Sequence, residues 1–190
     1  MSKVILSLFD YSGNWLSFYK LAGYDVYSVD IKNGISVLDL TEDTIKELGS
    51  IQGVLAAPPC TDFSGSGAQY WGIKDEDGRT AASLALVDKT LEIIEWAKPN
   101  WWVLENPVGR LSKLRPALGK PWYFQPHWYG DPYTKKTGLW GNFCKDLPRN
   151  DVEPDPNSWI MKLGGKSERT KELRSMTPLG FAKAFYEANP

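Results

Sequence analysis

The sequence predicts an α/β fold with a mainly parallel β-sheet flanked by helices, and two observations carry this prediction. Strand-like apolar runs alternate with helical patterns from residue 3 to about 106, a rhythm typical of parallel strands joined by crossover helices. The first run, KVILSLF at 3–9, is almost continuously apolar, as in strands that are buried on both faces. We therefore expect the carboxyl ends of the strands to share one edge of the sheet.

Aromatic residues at helical spacing predict the first helix. Trp15, Phe18 and Tyr19 recur at that spacing, and Gly23 can end the helix. The run YDVYSVDI at 24–31 then predicts the second strand. The chain thus completes one strand–helix–strand unit.

Two more helix–strand pairs follow in the same order. Thr41 precedes early acidic residues, which predicts a short capped helix over 41–49, and IQGVLAA at 51–57 predicts the third strand. Residues 79–98 have one apolar face and stop before a proline, as expected of an amphipathic helix. The run NWWVLEN at 100–106 predicts the fourth strand.

The alternation ends after the fourth strand. Two further strands are predicted at 121–130 and 136–143. Residues 144–170 are rich in Pro, Asn, Asp, Gly and Lys, which predicts a long loop. A closing helix is predicted at 177–189, with Thr177 as its N-cap and a proline at its first position.

The composition predicts one domain over residues 1–190 and a cytoplasmic location. Hydrophobic residues make up 42% and charged residues 24% of the chain, as in an ordinary globular protein. The net charge of −1 gives no overall attraction to nucleic acid, so such a partner would need a local basic patch. The sequence contains two cysteines, no secretory signal pattern and no apolar run near the ~20 residues of a membrane span.

A metal site is not expected from the sequence. His127 is the only histidine, and there is no Cys-x-x-Cys pair. Zinc sites draw mostly on clusters of these two residue types. We interpret His127 as a structural or surface residue.

Chemically useful side chains follow four predicted strands at their carboxyl ends. They are Phe9, Asp10, Ser12 and Gly13 after the first strand, Asp30 after the second, Cys60 after the third, and Glu105 with Asn106 at the end of the fourth. Ligands of parallel α/β sheets bind at this edge. Glu105 is the most informative, because a carboxylate after the apolar run WWVL needs a partner or a ligand. Cys60 alone is either a packed thiol or a nucleophile.

Four motifs resemble the cytosine-C5 DNA methyltransferase family, and especially its short, phage-type members. GVLAAPPCTDFSGSG is similar to the Pro-Pro-Cys-x-x-Phe-Ser nucleophile loop, and WWVLENP is similar to the Glu-Asn-Val segment. DGRTAASLALVDKTLEIIEWAKP resembles the helix before that segment, and LFDYSGNW resembles the cofactor loop Phe-x-Gly-x-Gly. The resemblance implies a Rossmann-like class I methyltransferase fold, S-adenosylmethionine as cofactor and cytosine in DNA as substrate, in the cytoplasm of a bacterial cell that a phage could have infected.

The resemblance also implies roles for the catalytic residues. Cys60 would add to C6 of cytosine, Glu105 would hold the N3/N4 edge of the base, and Asn106 would shape the turn. Lys135 would help to lower the pKa of the thiol. If the substrate is duplex DNA, the base must be flipped out of the stack.

The implied cofactor site lies beside the first two strands. Phe9 would stack on the adenine, Asp39 would accept from its amino group, and Asp30 would accept from the ribose hydroxyls. Gly13 would let the backbone approach the methionine part of the cofactor. The remaining predicted members of this site are Asp10, Ser12, Ile31 and Pro58.

The sequence departs from the family at two places. Tyr11 replaces the first glycine of the cofactor loop. The family segment Tyr-Gly-x-Pro-Gln-x-Arg-x-Arg appears here as YGDPYTKKT, so that Lys135 and Thr137 replace the two arginines. About 30 loop-like residues occupy the place of the family's target-recognition domain.

These departures keep two alternatives open. The first is C5 methyl transfer to a free nucleotide, an RNA or a modified base, which the small recognition segment and the near-neutral charge favour. The second is a catalytically weak binding or regulatory protein that retains the fold, which Lys135 and Thr137 favour.

Overall fold

The computed structural model describes residues 3–163 and 167–190, and a mixed sheet of six strands forms the centre of this described part. The strands are β1 Val4–Leu8, β2 Asp25–Val29, β3 Ile51–Ala56, β4 Trp101–Pro107, β5 Trp122–Phe124 and β6 Thr137–Asn142. Their order across the sheet is β2-β1-β3-β4-β6-β5. Strands β1 to β4 pair in parallel, whereas β6 is antiparallel to both β4 and β5. The predicted α/β class with a mainly parallel sheet is confirmed.

Helices pack on both faces of this sheet. The α-helices are α1 Ser17–Leu21, α2 Glu42–Glu47, α3 Trp71–Glu76, α4 Arg79–Ala97, α5 Leu111–Leu114, α6 Trp159–Lys162, α7 Glu168–Ser175 and α8 Leu179–Ala188. On one face, α1 and α8 bury Tyr19, Phe181 and Phe185 in an aromatic core. On the other face, α2 and α4 bury Ile45 and Ile93. Burial on both faces is the reason that β1 is apolar at every position except Ser7.

Local sequence signals account for several element ends. The Thr41 side chain accepts a hydrogen bond from the Thr44 N–H and caps α2, as predicted. Helix α1 ends at Leu21, and Gly23 follows in the left-handed region at φ +83°. The predicted strand at 121–130 is shorter, because Pro126 opens a 3₁₀ turn instead of continuing the ladder.

The prediction that Thr177 caps the closing helix is wrong. Pro178 has an extended ψ of 132°, so α8 begins one residue later, at Leu179. The Asp131 carboxylate accepts from the Gly180 N–H at 2.9 Å and satisfies the start of the helix from another part of the chain. A cap supplied from so far away leaves no signal in the local sequence.

The predicted loop at 144–170 is corrected in part. Helix α6 lies within it, and α7 begins at its end. The Ser167 side chain accepts from the Thr170 N–H and caps α7. Residues 164–166 of this predicted loop lie outside the described residues.

Candidate active site

A tight turn presents Cys60 just beyond the carboxyl end of β3. The Cys60 carbonyl accepts from the Phe63 N–H at 3.0 Å and from the Ser64 N–H at 2.9 Å. Phe63 is fully buried and anchors the turn in the core. The Cys60 side chain is partly buried and is not in a disulfide. The turn therefore holds the backbone that follows a thiol outside any disulfide.

Strand β4 brings Glu105 and Asn106 to the same edge. Strands β3 and β4 are parallel and pair Ala56 with Leu104, so the chain that leaves β3 runs beside the last residues of β4, which stay paired with β6. The Asn106 Nδ2 donates to the Pro58 carbonyl at 3.0 Å and ties the two strand ends together. Its Oδ1 is buried and has no hydrogen-bond partner among the described residues. Asn106 thus fixes the path of the Pro58–Cys60 segment beside Glu105.

Charges around Cys60 act in opposite directions on its thiol. Burial raises the pKa of Cys60, and the nearby Glu105 carboxylate raises it further, whereas Lys135 and Arg174 lower it. Burial likewise raises the pKa of Glu105, and Lys135 opposes that rise. Cys60, Glu105 and Lys135 therefore lie within electrostatic range of one another, and the protonated form of Glu105 is favoured by its surroundings.

Lys135 is held by its backbone in the connection between β5 and β6. Its N–H donates to the Gln125 Oε1 at 2.9 Å, and its carbonyl accepts from the Thr137 hydroxyl at 2.9 Å. Thr137 is 1% exposed, so its hydroxyl serves the backbone and has no room to face a ligand. The Lys135 ammonium is left to act on the thiol and the carboxyl.

Arg174 is a charge that lowers the pKa of Cys60 and that the motifs do not include. It lies in α7 near Cys60 and donates to the Leu163 carbonyl at 3.4 Å. No family motif covers this segment. The only sequence signal is the concentration of basic residues over 162–174, in a chain whose total charge is close to zero.

Phe9 and Asp30 lie side by side where β1 and β2 end. Leu8 pairs with Val29, and the Phe9 N–H donates to the Val29 carbonyl at 2.8 Å. Phe9 has a φ of +65°, the left-handed region that a bulky residue rarely adopts. Such backbone strain is found mostly at functional sites.

The loop between β1 and α1 is built around Asp10. Its carboxylate accepts from the Ser12 hydroxyl at 3.0 Å and from the Gly13 N–H at 2.9 Å. Burial raises the pKa of Asp10, and these hydrogen bonds oppose the rise. Gly13 has a φ of +69°, and no atom lies within 4 Å of where a Cβ would stand. Asp10 therefore orders a loop that leaves open space beside Gly13.

An open cleft of about 880 Å³ borders this loop. Ser12 and Gly13 line it together with residues of α1 and β2, whereas Phe9, Asp30 and Asp39 do not. Of the predicted cofactor residues, Ser12 and Gly13 therefore line the cleft, and residues of α1 and β2 form the rest of its wall.

The other predicted cofactor residues differ in exposure. Ile31 is 73% exposed, and Asp39 is exposed at the end of a 3₁₀ turn. Pro58 is buried, and its carbonyl is taken by Asn106. Tyr11, which replaces the family glycine, is 54% exposed and lies under the Lys32 ammonium at 5.1 Å from the ring centroid. Its ring is therefore at the rim of the loop.

A family model described as C-5 cytosine-specific DNA methylase matches residues 14–117, which is more than half of the chain and includes Cys60, Glu105 and Asn106. The chain belongs to the C-5 cytosine-specific DNA methylase family. Among curated proteins, no sequence matches it significantly.

Two solved methyltransferases have folds similar to that of this family member. One is a DNA modification methyltransferase encoded within an E. coli prophage, with a TM-score of 0.54 and 19% identity over 88% of this chain and 56% of that one. The other is the methyltransferase EhMeth of Entamoeba histolytica, with a TM-score of 0.50 and 14% identity over 88% of this chain and 61% of that one. This chain therefore spans less than two thirds of either neighbour. The likeness confirms a Rossmann-like methyltransferase fold.

The described part of the chain shows neither a candidate metal-binding group nor a candidate membrane-spanning helix. Within residues 3–163 and 167–190, no group of three or more His, Cys, Asp or Glu side chains is placed to hold a metal ion. In the same part of the chain, every helix is too short or too polar to cross a bilayer.

Proposed function

We propose that the chain is an S-adenosylmethionine-dependent DNA (cytosine-5-)methyltransferase that uses Cys60 as its nucleophile. The observation that carries this proposal is the meeting of the Cys60 thiol, the Glu105 carboxyl and the Lys135 ammonium at adjoining strand ends. Membership of the C-5 cytosine-specific DNA methylase family supports the same reaction.

The Cys60 thiolate would add to C6 of cytosine. The C6–sulfur bond forms with the electron pair of the thiolate, and the C5–C6 double-bond electrons become available at C5. Because burial raises the pKa of Cys60, the thiol must lose its proton close to the moment of attack. Lys135 and Arg174 favour the thiolate at that step.

Glu105 would act on the opposite side of the pyrimidine. Its raised pKa favours a protonated carboxyl, which can donate to N3 while an oxygen accepts from the exocyclic amino group. Donation to N3 draws electrons from the ring as sulfur attacks C6. Once C5 carries the methyl group, loss of its proton and expulsion of the Cys60 thiolate would restore the double bond.

S-adenosylmethionine, when bound, supplies the electrophilic methyl group. Two features of the β1–β2 edge fit it. Among the described hydrogen bonds, the Asp30 carboxylate uses Oδ1 alone, on the Lys32 N–H at 2.8 Å, which leaves Oδ2 for ribose hydroxyls. The open space beside Gly13 would admit the methionine part. Phe9 would stack on the adenine, with Asp39 and Ile31 at its edge, and Asp10 and Ser12 would order the loop.

A second candidate function is that of a catalytically weak binding protein. The observation in its favour is the buried Thr137, which takes the place of a family arginine and directs its hydroxyl to the backbone. In such a protein the fold that binds the cofactor would be retained, and the Cys60 thiol, with its raised pKa, would stay protonated.

A methyl-transfer assay separates these functions. The chain would be incubated with tritium-labelled S-adenosylmethionine and, in parallel, with unmethylated duplex DNA, RNA or dCMP. We expect label in DNA as 5-methylcytosine, and none with Cys60→Ser. Label confined to RNA or dCMP would support a different substrate. No transfer to any of the three, together with tight donor binding by calorimetry, would support the binding protein.

A further inference from the structure

Two buried cations contact the turn formed by residues 60–64, which we call the Cys60 turn. Lys74 on α3 is 6% exposed and Arg110, between β4 and α5, is 7% exposed. Buried Lys and Arg are rare unless they are paired. Neither residue belongs to the site described above.

The two cations hold the backbone of the turn. The Lys74 ammonium donates to the Thr61 carbonyl at 2.6 Å, and the Arg110 Nε donates to the Asp62 carbonyl at 3.1 Å. The Arg110 backbone N–H donates to the Phe63 carbonyl at 2.9 Å. The three carbonyls that follow Cys60 are thus all bound by Lys74 or Arg110, while the Cys60 carbonyl is bound within the turn.

Carboxylates balance both buried charges. Asp62 is buried and accepts from Lys74 at 3.1 Å and from the Ser83 hydroxyl at 2.6 Å. Charge-assisted hydrogen bonds of this kind are among the strongest in proteins. The turn is therefore fastened to α3 and α4 by a side chain as well as by its carbonyls.

The terminal nitrogens of the Arg110 guanidinium also have hydrogen-bond partners. Its two terminal nitrogens donate to Asp75 at 2.8 and 2.7 Å, and one of them also donates to the Thr80 hydroxyl at 2.9 Å. The guanidinium lies over the Trp71 ring at 4.7 Å from its centroid. The hydrogen bonds from Arg110 are the main reason that the pKa of Asp75 is lowered to about 2. The planar guanidinium can bind two partners at fixed angles, which an ammonium cannot do.

The approach of the two loops also requires a glycine. A Cβ on Gly109 would stand 1.9 Å from the Phe63 carbonyl oxygen, so no side chain fits there. Ser64 and Gly109 form an antiparallel bridge, and the Gly65 N–H donates to the Val108 carbonyl at 2.9 Å. The chain after Glu105 is thereby joined to the chain after Cys60.

We propose that Arg110 is a positioning residue that fixes the Cys60 turn relative to Glu105, while the Lys74–Asp62 pair holds the same turn from α3. This inference rests on the proposed function of Cys60 as the nucleophile. The guanidinium bridges α3 and the Cys60 turn, and its own backbone continues from the strand that carries Glu105. The Arg110 side chain thus joins the backbone ties in setting the distance between the two groups that must face one pyrimidine.

The test uses Arg110→Lys in the full chain, with Cys144→Ser in every variant so that Cys60 is the only thiol. Lysine keeps the charge but cannot bind the Asp62 carbonyl and both Asp75 oxygens together. The matched control is Arg115→Lys, because Arg115 makes an equivalent two-bond pair with Asp88 on the surface. Asp75→Asn serves as the milder variant if Arg110→Lys does not fold.

The first readout is alkylation of Cys60 by iodoacetamide as a function of pH. The charged groups that face the thiol are Glu105, Lys135 and Arg174, and all of them remain in the variant. Burial is the main cause of the raised pKa, so a loosened turn should move the alkylation midpoint to lower pH. The second readout is methyl transfer to unmethylated bacteriophage DNA. We expect kcat to fall by about 100-fold, as for a misplaced reacting group, with KM unchanged for DNA and for the methyl donor.

Arg115→Lys should change neither readout. An unchanged alkylation profile in folded Arg110→Lys or Asp75→Asn would overturn the proposal, and so would a shifted profile with full kcat. If the parent chain transfers no methyl group, the proposed function fails, and the alkylation profile alone decides whether Arg110 positions the turn.

Discussion

The residues of the candidate site differ in how visible they are from the sequence. The sequence predicts Cys60, Glu105 and Asn106 because each lies at the carboxyl end of a strand of a parallel sheet, and sheet geometry brings such residues together. Arg174 and Arg110 were not predicted. Arg174 reaches the site from a segment without periodicity, and Arg110 is a buried cation whose partners lie 30 to 48 positions away in the sequence.

Asp30 belongs to the cofactor site by our proposal, and its replacement tests that site. Asp30→Ala should weaken S-adenosylmethionine binding by about 1.5–3 kcal/mol, the typical value of a hydrogen bond to a charged group. Asp25→Ala is the matched control, because Asp25 is exposed at the opposite end of the same strand. Isothermal calorimetry measures both. Equal affinities for the two variants would remove Asp30 from the site.

Glu105 should make the folded state less stable as the pH rises. Its pKa is raised in the folded protein, so the folded state binds the proton more tightly than the unfolded chain does. This stabilisation is complete below the unfolded pKa near 4.3 and is lost as the pH rises through the higher folded pKa. Glu105→Gln should therefore be more stable than wild type at pH 8, and equally stable at pH 4.

Urea denaturation at the two pH values measures this difference. The same variant should lose at least about 100-fold in methyl transfer, the usual contribution of a general acid. A stability gain that is the same at both pH values would mean that the carboxyl is not the titrating group.

At the scale of single elements, helix α8 shows a cap that sequence alone does not reveal. Thr177 and Pro178 form a familiar helix start, yet the Asp131 carboxylate takes the place of the cap through the Gly180 N–H. Gly180 is required there, because a Cβ would stand 1.8 Å from the Tyr129 carbonyl oxygen. The close approach of the segment around Asp131 to the start of α8 thus determines where the helix begins.

Replacing Asp131 tests this cap. Asp131→Ala should destabilise the protein by about 1 kcal/mol, the usual cost of a lost N-cap. Thr177→Ala should have almost no effect, since among the described hydrogen bonds Thr177 takes part through its carbonyl alone, which accepts from the Asn14 side chain at 3.1 Å. Thermal unfolding of the two variants measures the difference. A larger loss for Thr177→Ala than for Asp131→Ala would restore the original prediction.

At the scale of the whole molecule, the parallel half was more predictable than the antiparallel half. Strands β1, β3 and β4 have largely apolar runs with clear boundaries, because helices cover both faces of the sheet. Strand β5 has only three residues, and α6 and α7 lie in a segment rich in loop-forming residues. The local sequence pattern of α7 is weak. The helix makes contacts with distant parts of the chain instead, such as the ion pair between Lys32 and Glu172.

The most direct test of the proposed chemistry is covalent trapping on duplex DNA that contains 5-fluorocytosine. After sulfur adds to C6 and C5 is methylated, fluorine cannot leave as a proton does, so the enzyme would stay bound to the base. With S-adenosylmethionine present, intact-mass spectrometry and peptide mapping should find one DNA adduct on Cys60. Cys144→Ser should trap equally well, whereas Cys60→Ser should not trap. If the folded, donor-binding chain forms no adduct, or forms it on Cys144, Cys60 is not the nucleophile.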